Sequence, residues 1–169
     1  MEIIQLLKKD DLFNQAIDVF WKEWGEEGGR AFYEDCMINA LTNPNDIPSF
    51  YVAKVDDKII GIYALIRNDL NSRQDLSPWL ACLFVDEKFR GSSLGAKMLN
   101  HGLLEAAKRG FKFLYLTSDL KDYYEKYGWE KIGVAYGPSG GYIPLFNEFL
   151  ERILLPQARE GRSPAVGGR

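Results

Sequence analysis

The run Arg90-Gly91-Ser92-Ser93-Leu94-Gly95 follows a nearly continuous apolar stretch, Trp79 to Val85, and opens onto residues at helical spacing, Leu94, Met98, Leu99, Leu103 and Ala106. A strand, a glycine-containing turn and a helix start make an anion site. The first N–H groups of a helix have no intrahelical acceptor and point outward at the positive end of its dipole. Gly91 and Gly95 permit close backbone approach, Ser92 and Ser93 add hydroxyls, and Arg90 adds charge. The expected guest is a phosphate or pyrophosphate. The loop is not a P-loop, since no Gly-Lys-Ser/Thr follows, and it lacks the three glycines and distal acid of the dinucleotide fingerprint.

Other chemistry is thinly supplied. There is one histidine, His101, and two cysteines, Cys36 and Cys82, with neither a Cys-x-x-Cys nor a paired-histidine spacing, so no metal site is expected. His101 falls within the helix after the loop and reads as a packing or surface residue, and both cysteines read as small apolar fillers. The chain has 169 residues, 46% apolar and 27% charged, which fits one globular domain. No apolar run approaches the roughly 20 residues of a membrane span. Met1 to Asp11 carries lysines and aspartates where a secretory leader would be apolar, and two cysteines suit a reducing compartment, so a cytoplasmic location is expected. Net charge is −3, and the residues after Pro156 hold three arginines against one glutamate, leaving −5 on the body. An acidic body disfavours nucleic acid and anionic membrane and mildly suits a cationic substrate.

The elements that must position the loop follow from periodicity. Ile3 to Leu7 reads as a strand. Asp10 or Asp11 is expected to cap a helix carrying Leu12, Ala16, Val19, Phe20 and Trp24. A second helix, Ala31 to Leu41, places Phe32, Cys36, Met37, Ala40 and Leu41 on one face and stops before Asn43-Pro44. Ser49 to Val55 and Lys58 to Arg67 flank Asp56-Asp57 as a hairpin, and a polar loop, Asn68 to Pro78, leads to Trp79 to Val85, which reads as a strand buried on both faces. The helix from Leu94 ends at Gly110, and Phe111 to Thr117 is a second buried strand, giving a β-loop-α-β unit with a parallel pair. Asp119 is expected to cap a short helix through Tyr127, and Trp129 to Tyr136 returns as a strand. Ile143, Phe146, Leu150, Ile153 and Leu154 have helical spacing, yet Gly137 to Gly141 looks like a turn feeding a strand; periodicity leaves both open. Residues 1–156 form the expected domain, and 157–169 a flexible tail or expression remnant.

Leu83-Phe84-Val85 followed by Arg90-Gly91-Ser92-Ser93-Leu94-Gly95-Ala96 resembles the acetyl-CoA motif of the GCN5-related N-acetyltransferases (GNAT), written Gln/Arg-x-x-Gly-x-Gly/Ala. A second segment, Tyr123-Tyr124-Glu125-Lys126-Tyr127-Gly128-Trp129 after the strand Phe113 to Thr117, is similar to the family's Phe-Tyr-x-x-x-Gly-Phe at the expected distance. Ser93 stands where the family usually has its first glycine, and Trp79 to Val85 has no carboxylate where many members place a base or water-holding Glu.

The resemblance implies an α/β fold of the α+β type: a mixed, mostly antiparallel central sheet with splayed parallel fourth and fifth strands and helices on both faces. It also implies a final strand at Tyr142 to Phe149. The pantetheine arm of acetyl-CoA would lie in the splay against Leu83, Phe84 and Val85, near Thr117, with the pyrophosphate on Arg90 to Ala96. Tyr124, at the family's acid position, would protonate the leaving thiolate while the amine attacks directly. An amine of pKa about 10.4 lies about 3.4 units from its neutral form at pH 7, about 4.6 kcal/mol, so some group must take its proton. Asp75, in the loop before the strand, ranks first, with Asp119 and Glu23 behind, each acting through water. Trp24 and Trp79, with Trp21 and Tyr33, and Arg73 are candidates for acceptor contact. The expected partners are a small-molecule or protein amine and, as an assembly, a homodimer. Two other readings are an acyl-CoA-binding regulatory module without turnover and a toxin that acetylates aminoacyl-tRNA.

Overall fold

Alternating apolar residues make a hairpin of β2 (Ser49–Val55) and β3 (Lys58–Ile66), turning at Asp56, whose φ of 51° is left-handed. The computed structural model describes residues 1–7, 10–40 and 46–153. Around the hairpin lie β1 (Glu2–Gln5), α1 (Phe13–Trp24), α2 (Arg30–Ala40), β4 (Trp79–Val85), α3 (Leu94–Lys108), β5 (Phe113–Thr117), β6 (Glu130–Tyr136) and β7 (Tyr142–Phe149). One seven-stranded sheet has the order β1-β2-β3-β4-β5-β7-β6, antiparallel everywhere except between β4 and β5. The strand reading of Tyr142 to Phe149 holds. β7 sits between β5 and β6, pairing Phe113 with Phe149 on one side and Tyr136 with Tyr142 on the other.

The sheet is covered on both faces. α3 places Leu94, Met98, Leu99 and Leu103 against Tyr51, Tyr63, Leu80, Leu114 and Leu116. α1 places Phe13, Ala16, Ile17 and Phe20 against Leu6, Val52, Ile62 and Ala64. At the root of the parallel pair Trp79 is fully buried, its ring 5.8 Å from that of Tyr115 and its Nε1–H donating to the Leu76 carbonyl at 2.8 Å. Truncating it to alanine is expected to cost about 3–5 kcal/mol.

β4 and β5 share a single register pair, Trp79 with Tyr115, and then part. The cause lies in β4. Ile62 pairs with Phe84 and Ala64 with Ala81, so Cys82 and Leu83 share the place opposite Tyr63, and Cys82 takes a left-handed φ of 56°. This β-bulge bends β4 away from β5. Beyond it Leu83 and Val85 pack toward the α3 side, whereas Cys82 and Phe84 pack toward α1. The expectation that all of β4 is buried on both faces is therefore corrected. Trp79, Leu80 and Ala81 are buried, but Cys82 to Val85 border the gap and stay partly open.

Three other expectations change. Neither Asp10 nor Asp11 caps α1 with its side chain. The Asp10 carboxylate accepts from the Leu7 N–H, and its carbonyl accepts from Phe13. The apolar face read for α2 is exposed at Phe32 and Cys36, because α2 leans on α1 through Tyr33, Met37 and Ile38. The helix expected from Asp119 shrinks to a 3-10 turn, Glu125–Tyr127, after Asp122 adopts a left-handed φ of 54°. The Asn43-Pro44 stop, Leu41, Leu154 and the tail at 157–169 lie outside the described residues.

Candidate active site

The bulge, the loop before α3 and the turn after β5 together enclose a cavity of about 820 Å3. Leu83, Phe84 and Val85 line it from β4, and Phe89, Arg90, Gly91, Ser93, Leu94 and Gly95 from the loop. Leu120, Tyr123, Tyr124 and Tyr127 close it from the far side. The loop is held in shape before any ligand arrives. The Asp86 N–H donates to the Ile60 carbonyl of β3, and its carboxylate accepts from the Lys88 N–H, capping a 3-10 turn at Glu87–Phe89. Arg90 folds back, its Nε–H donating to the Val85 carbonyl at 3.1 Å, with its guanidinium 6.0 Å above the Phe84 ring.

Gly91 and Ser93 then take left-handed φ values of 78° and 58°. Alternating hands along a short run turns successive N–H groups toward one concavity, the geometry of a backbone anion nest. The Ser93 hydroxyl donates to the Ser92 carbonyl and does not cap α3. The first intrahelical bond runs from the Lys97 N–H to the Ser93 carbonyl, so the N–H groups of Leu94, Gly95 and Ala96 precede it. At Gly95 a Cβ would come within 2.6 Å of the Tyr123 hydroxyl, so the missing side chain lets that tyrosine sit over the first turn of the helix. Ser92 and Ala96 belong to the same loop and turn without lining the cavity, and Thr117, half-buried at the end of β5, does not line it either.

Tyr124 is buried, its ring 5.5 Å from Phe146 and 6.2 Å from Trp129. Burial raises its pKa, and the neighbouring Ser118 hydroxyl pulls in the opposite direction, so the phenol keeps its proton at neutral pH. Tyr123 lines the cavity together with Tyr127 and Leu120. No spacing rule marks Leu120 or Tyr127. They arrive because the turn replaces the expected helix.

Cys82 and Phe84 pack toward α1 on the other face of the gap, although Phe84 also reaches the cavity lining. Trp24, from the end of α1, meets Phe84 edge to face at 6.4 Å and is 42% exposed. The loop between β3 and β4 also belongs to this face. It leaves β3 beside Trp79, yet Ser72 exchanges two 2.9 Å hydrogen bonds with the backbone of Tyr136 at the far end of β6. Because β6 runs parallel to β5, that end lies at the opposite edge of the sheet from Trp79, so the loop crosses the sheet. It passes on the side away from α3, where Arg73 and Asp75 come near Tyr115.

The remaining candidates separate. Arg73 binds Asp75 through two hydrogen bonds of 2.8 and 2.7 Å, and this guanidinium holds the Asp75 carboxyl below its usual range. Trp79 is buried at the root of the gap and presents no surface to an acceptor. Asp119 and Glu23 are exposed. His101 shares a 2.6 Å hydrogen bond between Nδ1 and the Tyr63 hydroxyl within the α3 core, and burial lowers its pKa. Burial pushes the Cys82 thiol up to about 12, leaving it un-ionised and a poor nucleophile. Cys36, expected to be a core filler, is exposed. Among the described residues no three His, Cys, Asp or Glu side chains group to hold a metal, and no helix is long and apolar enough to cross a membrane.

Residues 46–131, just over half of the chain, match the family model described as "Acetyltransferase (GNAT) domain". Among solved structures, an aminoglycoside 6'-N-acetyltransferase complexed with coenzyme A is 20% identical with a TM-score of 0.67, over 89% of this chain and 97% of that one. A GNAT family acetyltransferase from Elizabethkingia anophelis, with acetyl-CoA bound, is 17% identical with a TM-score of 0.60, over 88% and 97%. The protein PH1933 of Pyrococcus horikoshii OT3 is 26% identical with a TM-score of 0.57, over 88% and 97%. No curated protein sequence matches the chain.

Proposed function

Since the chain belongs to the GNAT acetyltransferase family, we propose that this N-acetyltransferase moves the acetyl group of acetyl-CoA directly onto a primary amine. The observation that carries the reading is the meeting of an uncapped helix start, a backbone nest and the buried hydroxyl of Tyr124 around one cavity beside a strand that has left its partner. Acetyl-CoA supplies an activated thioester. Gly91 to Ala96 would hold its pyrophosphate through main-chain N–H groups, with Arg90 at the rim. Leu83 to Val85, bordering the gap, would pair with the pantetheine amides as an added strand does. An N–H of the same strand would polarise the acetyl oxygen.

Tyr124 donates a proton to the departing sulfur in this reading. Its ordinary pKa near 10 already exceeds the roughly 8.5 of a thiol, so the transfer depends on a well-placed hydrogen bond more than on driving force. The acidic body and the glutamates at 23, 26 and 27 favour a cationic acceptor. Isothermal calorimetry with acetyl-CoA, followed by thiol release with a panel of primary amines, tests the proposal. Micromolar binding with amine-dependent thiol release is the expected result. Binding without amine-dependent release would leave a binding module, and no binding would remove the reading at its root.

A further inference from the structure

Direct transfer needs a group that accepts the ammonium proton, and the crossing loop holds one that sequence reading passed over. The α3 side of the gap belongs to the cofactor cavity, so an amine that attacks a thioester held in the gap must come from the opposite face. There Cys82 and Phe84 of β4 pack on the α1 side, partly open, and the β3–β4 loop crosses. Asp69 lies on that loop. Its backbone carbonyl accepts from Asn71 N–H at 2.9 Å and from Gln74 Nε2 at 3.0 Å, and its Oδ1 accepts from Leu70 N–H at 2.8 Å. The loop around it is therefore braced by its own hydrogen bonds, unlike an ordinary surface connection.

The surroundings of the carboxylate are unusual for an aspartate. It is half-buried, its charge is felt at the Cys82 thiol on the bulge, and no lysine or arginine among the described residues pairs with it. Burial raises its pKa, as suits a base. Asn71 Nδ2 comes close enough to favour its charged form but makes no well-aligned hydrogen bond, and is itself buried without a partner. A half-buried carboxylate without a cation, beside an orphaned buried donor, is a place that a ligand or water would complete. Asp75, on the same loop, is already neutralised by Arg73.

We propose that Asp69 receives the ammonium group of the acceptor on the face of the gap opposite the cofactor cavity and takes its proton, directly or through one water held with Asn71. The nitrogen lone pair then forms the N–C bond as the C–S bond breaks, and the sulfur takes the Tyr124 proton. The second nitrogen proton restores the tyrosine, and the proton on Asp69 returns to water. This assignment rests on the acetyl-transfer reading.

The test compares two nucleophiles with the wild type and Asp69→Asn, whose amide oxygen can still accept from Leu70. Tyramine is a cation at neutral pH, whereas hydroxylamine is uncharged and has no ammonium proton to give up. Asp69→Asn is expected to lower kcat/KM for tyramine by at least about 100-fold, the usual scale of general-base loss, and to change hydroxylamine acetylation by less than about threefold. Acetyl-CoA affinity should stay unchanged. If Asp69→Asn does not fold, Asp69→Ser, also neutral and able to accept from Leu70, must show the same split. Equal losses for both nucleophiles, or no loss for either, would overturn the assignment while leaving the transferase intact. A wild type that binds acetyl-CoA but releases no thiol with tyramine, hydroxylamine or any amine of the panel would overturn the transfer reading, and this assignment with it.

Discussion

The two faces of the gap beside β4 are built in opposite ways. On the α3 side, one contiguous run from Leu83 to Gly95 supplies most of the cavity wall, and much of what it offers is main chain: strand edge, two left-handed residues and an uncapped helix start. On the other side the wall is assembled from distant segments, Trp24 of α1, Asp69 of a loop and Cys82 of β4, with Phe84 shared between the two walls, and what they offer is side chains. Backbone recognition of a constant ligand fits in a short motif. Recognition of a variable acceptor, in the reading proposed above, is spread over elements that only the fold brings together.

The strongest way to break the cofactor face alone is to put a side chain at Gly95. A Cβ there meets the Tyr123 hydroxyl at 2.6 Å, and a larger group would fill the first turn of α3 where the pyrophosphate is expected. Gly95→Leu is expected to weaken acetyl-CoA binding by about 1,000-fold, about 4 kcal/mol, in calorimetry, with the circular dichroism spectrum unchanged. Retained binding would move the anion site away from α3. Next in size, Tyr124→Phe removes one oxygen from a ring held by Trp129 and Phe146. It should reduce kcat by about 100-fold while acetyl-CoA affinity stays within about twofold. A fall in affinity instead would make Tyr124 a cofactor contact and not the acid.

The same contrast explains what could be read from the sequence. The glycines and serines before α3, the apolar stripe of α3 and the order of the strands were legible because local patterns determine them. The loop proposed to hold the cofactor was visible as a contiguous string. Asp69 was not, because its placement depends on the loop reaching Tyr136, 64 positions from Ser72, and nothing in Asn68 to Pro78 announces that partner. The α2 face was misread for a related reason: Phe32 and Cys36 have helical spacing, but α2 packs on α1 through Tyr33, Met37 and Ile38. The bulge at Cys82, which opens the gap, also leaves no mark in an unbroken apolar run.

A smaller effect probes the acceptor face through its exposed aromatic. Trp24 touches Phe84 from the outer side and is absent from the cavity lining. Trp24→Ala should raise KM for the acceptor by about tenfold, the loss expected of a partly exposed aromatic contact, and leave both kcat and acetyl-CoA affinity near wild type. Should acetyl-CoA binding fall as well, the two faces would not be separable at Phe84, and the division drawn along β4 would fail.

The smallest expected effect sharpens the choice between two carboxylates of one loop. Asp75 was the first candidate from sequence because it leads directly into β4, and the loop does carry it across the acceptor side of the sheet near Tyr115. Yet it is exposed, and its hydrogen bonds to Arg73 stabilise the charged form and so weaken it as a base. An exposed ion pair of this kind contributes little, so Asp75→Asn should leave kcat/KM for tyramine within about twofold. A loss of about 100-fold in that variant, with hydroxylamine acetylation unaffected, would return the proton acceptor to Asp75. Arg73 would then have to release the carboxylate when the amine arrives, because the same two oxygens cannot hold the guanidinium and receive the ammonium proton.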